Sequence, residues 1–312
     1  MRTVRLLRAI GPEIFKDADK LRALDNACKA GMAKWDQFDA VGKTMATLFF
    51  EPSTRTRLSF EAAMLRLGGN VITANDESSS LMKGESISDT LRTVGLLSDL
   101  LVVRSSCPQK DWGDPQISII NAGDGGNSHP TQALLDTYTI LRHKGRISPL
   151  TIGIVGDLYN SRTIKSLTEY LSVGANDFIG FDSTGHDNKL GPNPGYYDNT
   201  SSRCSTRNDI EEFERLMPQF DVLYLNRVQN ERHSERGKAV DPENDDPPTF
   251  VLDRRRLGLL RQDCVILNPG PRRGELPDLI DSRIKFWEQI ENGFYIRMAL
   301  LRHVFKEEQN VS

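Results

Sequence analysis

The 312-residue chain has little cysteine, little net charge and no long apolar run, and each shortage removes a class of protein. Its four cysteines, Cys28, Cys107, Cys204 and Cys264, stand far apart, with no Cys-x-x-Cys pair and no histidine close by. Neither a zinc site nor a disulfide framework is therefore expected, and a reducing, cytoplasmic setting fits. The formal net charge is −3 and the basic residues are dispersed, which argues against a nucleic-acid partner. No stretch approaches the length of a membrane span, and Met1 to Ile10 alternates arginine with apolar residues around no long apolar core, so a soluble, unexported protein is expected. A dinucleotide fingerprint is missing too: Gly153 and Gly156 have no third glycine, and no cofactor is called for.

What is present is an α/β rhythm. The length suggests two domains of about 150 residues each. Apolar, strand-like runs at 45–50, 71–73, 100–103 and 117–121 alternate with helical patterns such as 131–142. A second series follows at 151–157, 178–181, 222–225 and 264–267. The expected fold class is thus α/β, two domains, each a mainly parallel sheet flanked by helices. The border falls near 145, with residues 1–145 as one domain and 146–285 as the other. Local pattern alone leaves open which domain the last helical stretch, 284–306, covers. Two stretches have few apolar residues: 184–208, rich in Gly, Pro, Asn and Ser, reads as a long surface excursion, and 232–249 is equally compatible with a lid or an idle insertion. Parallel sheets place ligands beyond the carboxyl ends of their strands, and the chemistry-bearing motifs all lie there.

The densest motif is Phe49-Phe50-Glu51-Pro52-Ser53-Thr54-Arg55-Thr56-Arg57, which packs three hydroxyls and two guanidiniums into five residues ahead of a helical pattern opening at Leu58. A helix N-terminus offers free N–H groups and the positive end of its dipole, and arginine adds a fork that matches phosphate oxygens. The alternative is a plain hydroxyl cap with surface arginines. Arg104 ends another strand run. Residues 121–132 follow the next with a glycine-rich turn and place His129 just before Pro130, a good first helical residue. At that point His129 is either a structural cap or a donor to a carbonyl oxygen, kept neutral by the helix dipole. Ser78 to Ser86 forms a polar loop carrying Lys83, whose ordinary fate is to be solvated. In the second half Arg162 follows one strand run and Arg227, with nearby amides, another; two arginines facing one cleft would suit two carboxylates. Finally, Asn268-Pro269-Gly270-Pro271 makes a stiff turn whose bare carbonyls can accept from an N–H₂ group.

Taken together, residues 49–57, Lys83-Gly84-Glu85, Asn121 to Gly125, His129 to Gln132, Gly156-Asp157-Leu158 with Arg162, and Arg227-Val228-Gln229 resemble, in order, the blocks of the aspartate carbamoyltransferase family. The Arg-Val-Gln block resembles its aspartate branch, because ornithine-type members differ there. The resemblance implies transfer of a carbamoyl group from carbamoyl phosphate to L-aspartate, early in pyrimidine synthesis. It also implies a homotrimer with shared active sites and a C-terminal helix, about 286–312, packed back on the first domain. Ser53, Thr54, Arg55 and Thr56 would hold the phosphate with Arg104; Thr56, Arg104 and His129 would polarise the carbonyl oxygen; Gln132 and the backbone of Pro269 and Gly270 would orient the carbamoyl nitrogen. Arg162, Arg227 and Gln229 would fix the aspartate carboxylates, with Lys83 and Ser79 or Ser80 supplied by a neighbouring subunit. No metal is implied.

In the final turn this chain departs from the family pattern, with Asn268 in place of the usual histidine and Gly270 in place of a larger residue. Backbone carbonyls survive that change, but glycine loosens the turn. The two other readings, a transcarbamylase for a different amino acid and an inactive structural homologue, predict altered residues at 227–232 or loss of Arg55, Lys83, Arg104 or His129. Regulatory chains or a dihydroorotase as further partners are left open by the sequence.

Overall fold

The computed structural model describes residues 2–75, 84–158, 160–183, 203–207, 209–228 and 250–311. The chain separates into two compact units, Met1–Leu135 with Ile290–Ser312, and Asp136–Gln289.

The first unit is built on four strands, β1 (Thr44–Phe49), β2 (Asn70–Asn75), β3 (Leu100–Ser105) and β4 (Ile119–Asp124), in the order β2-β1-β3-β4. All neighbouring pairs are parallel. A parallel sheet covered on both faces must be apolar on both, which is why β1 and β3 read as unbroken hydrophobic runs and why Met45, Leu48 and Leu100 to Val103 are buried. Helix α2 (Thr54–Arg66) returns from β1 to β2, and α3 (Ile87–Gly95) leads to β3. Helix α2 starts at Thr54, one turn earlier than the apolar pattern opening at Leu58 suggests. Its first turn, Thr54 to Arg57, is made of polar residues, so hydrophobic periodicity is blind to it. Helix α3 starts at Ile87 behind a Ser86 cap, and its first-turn carboxylate is Asp89.

Helix α1 (Arg2–Lys29) has no counterpart among the expected elements. It buries Ile14, Phe15, Ala18 and Leu21. The last helix (Phe286–Val311) meets it within the first unit: Tyr295 donates to Asp25 at 2.8 Å, Arg22 pairs with Glu291 at 2.9 Å, and Arg302 with Asp17 at 2.9 Å. The Arg297 guanidinium lies 5.0 Å from the Phe60 ring of α2.

The second unit holds β5 (Thr151–Gly156), β6 (Asp177–Asp182), β7 (Arg203–Arg207), β8 (Val222–Leu225) and β9 (Val265–Leu267), in the order β7-β6-β5-β8-β9 and again all parallel. Strand β7 corrects the reading of 184–208 as an excursion throughout, because residues 203–207 pair along β6. Residues 184–202 and 229–249 lie outside the described residues. Helices α4 (Pro130–Lys144), α5 (Arg162–Leu171), α6 (Ile210–Leu216) and α7 (Arg254–Leu259) complete the alternation, and α8 is the last helix, Phe286–Val311. Phe181, Phe213, Phe220 and Phe250 form an aromatic core, with the Phe181–Phe213 centroids 4.8 Å apart. Gly153 is what lets β5 lie against it, since a Cβ there would come within 2.7 Å of the Phe220 ring.

Candidate active site

Each sheet has one place where the strand order reverses direction, and in parallel sheets ligands bind there, beyond the carboxyl ends of the strands. In the first unit the reversal lies between β1 and β3. Phe49 is in register with Arg104, and the Phe50 N–H donates to the Arg104 carbonyl at 2.8 Å. The strand pairing therefore sets the Arg104 side chain beside the turn that leaves β1. Arg104 Nη1 donates to Ser53 Oγ at 3.1 Å, and its Nε lies 3.3 Å from Glu51 Oε2. Ser53 occupies the cap position of α2 with extended backbone, yet its side chain makes no capping hydrogen bond. The plain-cap reading of this serine fails: its hydroxyl serves the guanidinium. Thr54, Arg55 and Thr56 form the first turn of α2, with Thr54 and Arg55 exposed and Thr56 buried.

The β4 tip is held by side chains. Asn121 Nδ2 donates to Asp124 Oδ1 and Gln109 Oε1, both at 3.0 Å, Asn121 Oδ1 accepts from the Gly123 N–H at 2.7 Å, and Ser128 Oγ donates to Asp124 Oδ1 at 2.6 Å. Gly125 has φ +52, and a Cβ on it would come within 2.4 Å of the Ser106 carbonyl oxygen, so the β3 and β4 ends approach more closely than any side chain permits. This scaffold delivers His129 and Gln132 to the start of α4, both buried. The His129 carbonyl accepts from Gln132 and Ala133 N–H groups at 3.1 and 3.2 Å, which anchors the helix start.

In the second unit the reversal lies between β5 and β8. Val155 pairs with Leu225, and the Asn226 N–H donates to the Val155 carbonyl at 2.8 Å. Gly156 has φ +130 and no room for a Cβ, which would meet the Asn226 carbonyl oxygen at 2.2 Å. Asn226 ties the two strand tips together: its Nδ2 donates to Ser161 Oγ at 2.5 Å and to Thr163 Oγ1 at 2.9 Å, and Ser161 caps α5 through the Ile164 N–H. Arg162 is the first residue of α5 and is buried; Arg227 follows β8 directly, is half-buried, and donates to the Val228 carbonyl at 3.0 Å. After β9, Pro269 and Gly270 are half-buried and Gly270 has φ +68, a left-handed conformation suited to glycine. Gly270 is not loose, because its N–H donates to Asn268 Oδ1 at 2.7 Å.

Of the described site residues, Ser53 to Thr56 and Arg104 lie beside the first reversal point, His129 and Gln132 follow β4, Arg162 and Arg227 lie beside the second reversal point, and Pro269 and Gly270 follow β9. Ser79, Ser80, Lys83 and Gln229 lie outside the described residues. Glu51 and Asn226 received no role from sequence, although both sit inside the motifs. Their partners are set by strand register, which local pattern does not reveal.

The two parallel sheets carry, at their reversal points, a hydroxyl- and arginine-rich turn in one unit and two strand-tip arginines in the other. The carbamoyl-phosphate-binding domain model of aspartate/ornithine carbamoyltransferases matches residues 10–142, and the Asp/Orn-binding domain model matches residues 148–304. The aspartate carbamoyltransferase catalytic subunit of Clostridium acetobutylicum is 39% identical over 300 residues, covering 93% of this chain and 92% of that protein. The chloroplastic aspartate carbamoyltransferase of Oryza sativa subsp. japonica is 39% identical over 297 residues, covering 93% and 80%. Among solved structures, the Trypanosoma cruzi aspartate transcarbamoylase in complex with carbamoyl phosphate and aspartate superimposes with a TM-score of 0.81 at 31% identity, covering 95% of this chain and 92% of that one. The chain belongs to the aspartate/ornithine carbamoyltransferase family.

Proposed function

We propose that this chain transfers the carbamoyl group of carbamoyl phosphate to the amino group of L-aspartate, giving N-carbamoyl-L-aspartate and phosphate for pyrimidine synthesis. The observation that carries the reading is the Arg104–Ser53 hydrogen bond at the first reversal point, which commits the cap serine of α2 to an anion-facing guanidinium. Arg55, Thr54 and the first-turn N–H groups of α2 add the remaining phosphate donors.

The roles follow from the chemistry. Ser53, Thr54, Arg55, Thr56 and Arg104 hold the phosphate. Thr56, Arg104 and His129 donate to the carbonyl oxygen, which becomes an oxyanion when the amine attacks; one such donor is typically worth about 3 kcal/mol. Gln132 and the carbonyls of Pro269 and Gly270 orient the carbamoyl nitrogen. Arg162, Arg227 and Gln229 pair with the two carboxylates of aspartate. Lys83, with Ser79 or Ser80, comes from a neighbouring chain. The tetrahedral intermediate collapses with loss of phosphate, whose charge the arginines stabilise and which can itself take up the amine proton. Holding two substrates in register supplies about 7–11 kcal/mol more. The catalytic unit in this reading is a cytoplasmic homotrimer. The first unit supplies the carbamoyl-phosphate residues, the second the aspartate residues and the Pro269–Gly270 turn.

The experiment is a product assay on the purified chain, with carbamoyl phosphate and either L-aspartate or L-ornithine. Carbamoyl-aspartate is expected with the first amine and no citrulline with the second. Citrulline as the main product would move the protein to the other branch, and neither product would overturn the activity.

A further inference from the structure

The turn after β9 is held by a chain of buried polar side chains that none of the roles above uses. Tyr224 on β8 donates to Asp136 Oδ2 at 2.8 Å, and Gln289 Nε2 donates to Asp136 Oδ1 at 2.8 Å. The Asn268 N–H donates to Gln289 Oε1 at 2.8 Å. Asn268 Nδ2 donates to Glu275 Oε1 at 2.7 Å, while Asn268 Oδ1 accepts from the Gly270 N–H at 2.7 Å. The second oxygen of Glu275 accepts from the Arg273 N–H at 2.9 Å, so one carboxylate grips the turn on both sides. All five side chains are at most 2% exposed, where an unmatched polar atom is costly.

The chemistry of the pair fixes its direction. Both Glu275 oxygens accept, Oε1 from Asn268 Nδ2 and Oε2 from the Arg273 N–H, so the Asn268 amide turns its N–H₂ to Glu275 and leaves its oxygen facing the Gly270 N–H. That bond sets the peptide plane between Pro269 and Gly270, and with it the direction of the Pro269 carbonyl. We infer that Asn268 and Glu275 are positioning residues for the 269–270 carbonyls, acting through a carboxylate-oriented amide. The inference rests on the reading that these carbonyls orient the carbamoyl nitrogen. A turn that contains a left-handed glycine is thereby held in one conformation despite the freedom glycine brings.

The polarity of the pair can be reversed. Asn268→Asp sets two acceptors against each other, and Glu275→Gln sets two donors against each other unless the amide flips and abandons the Arg273 N–H. When both substitutions are combined, the amide now at position 275 donates to the carboxylate now at position 268, and its oxygen accepts from the Arg273 N–H. The carboxylate at 268 still accepts from the Gly270 N–H, so the 268–275 bond is restored with donor and acceptor exchanged and both backbone bonds are kept. With wild-type enzyme forming carbamoyl-aspartate in the same assay, each single variant is expected to lose about tenfold or more in kcat with less than about threefold change in KM for carbamoyl phosphate, and the double variant to recover to within about threefold of wild type. Single variants with wild-type kcat, or a folded double variant no better than the worse single one, would overturn the assignment. If these variants do not fold, Asn268→Ser, which breaks the fork without adding charge, is expected to lower kcat with little change in KM; unchanged kcat there would overturn it equally. A wild-type enzyme that forms no carbamoyl-aspartate would instead sink the underlying reading, and this inference with it.

Discussion

At the scale of single residues, the informative side chains are those that could do two jobs and are seen doing one. Ser53 has the position and backbone of a helix cap, but its hydroxyl accepts from Arg104 at 3.1 Å and caps nothing. Ser53→Ala therefore removes no cap, and any loss of stability it causes comes from the bond to Arg104. What it removes is a hydrogen bond to a charged group, worth about 1.5–3 kcal/mol, so kcat/KM for carbamoyl phosphate should fall at least tenfold by the usual conversion of about 1.4 kcal/mol per decade. Thermal melting beside steady-state kinetics checks this; a lowered melting temperature with intact kinetics would return Ser53 to the role of a plain cap. The turn proposed to hold the phosphate was legible because its hydroxyls and guanidiniums stand next to one another in sequence, at a helix start. Glu51 was not legible as a partner, because its 3.3 Å approach to Arg104 depends on β1 lying beside β3, some fifty residues further along the chain.

At the scale of elements, the buried parallel strands were readable because both faces are apolar, whereas β7 was not, since Arg203-Cys204-Ser205-Thr206-Arg207 is an edge strand held by its backbone ladder to β6. Helix α1 was hidden for a different reason: Pro12 and interleaved arginines blur its apolar stripe, and only packing with the last helix reveals which face is buried. Elements are also joined by charge. The end of α4 is tied to the start of β9 by Lys144, which pairs with Asp263 at 2.8 Å and with Asp221 at 3.1 Å. The hydrogen bond from Lys144, opposed by partial burial and reinforced by Arg261, holds the Asp263 carboxyl at a pKa of about 2. A carboxyl depressed below its unfolded value near 3.9 adds stability that is complete above that value and lost as pH falls through about 2. Asp263→Asn should thus be less stable than wild type at pH 7, by a modest amount because the side chain is 58% exposed and screened. The gap should close as the pH of denaturant titrations is lowered toward 2; a gap that stays constant across that range would remove the ion pair as its cause.

At the scale of the whole molecule, composition and motif order were legible in the sequence, and assembly entered only through the family resemblance. The first unit exposes Leu58 and Leu65, seven residues apart and so on one face of α2, together with Ile72 on the edge strand β2. Exposed apolar groups on a helix face and on an edge strand are what a contact between copies would cover. Beyond β2 the chain enters the segment that contains Ser79, Ser80 and Lys83. If Lys83 of one chain completes the site of the next, a site is intact only where a chain with a good Arg55 is followed by a chain with a good Lys83. In a one-to-one random mixture of Lys83→Ala and Arg55→Ala chains in a closed ring, each condition holds for half the chains, so about one quarter of wild-type activity should return, although either parent alone is inactive. The reassembled particle should scatter light as three chains of 35.1 kDa, about 105 kDa. Sites completed within one chain would yield no activity at any mixing ratio, and a ring of another size would keep the quarter but change the mass. Activity fixes whether the site is shared and mass fixes how many chains share it, so the two measurements together separate a trimer from every alternative ring.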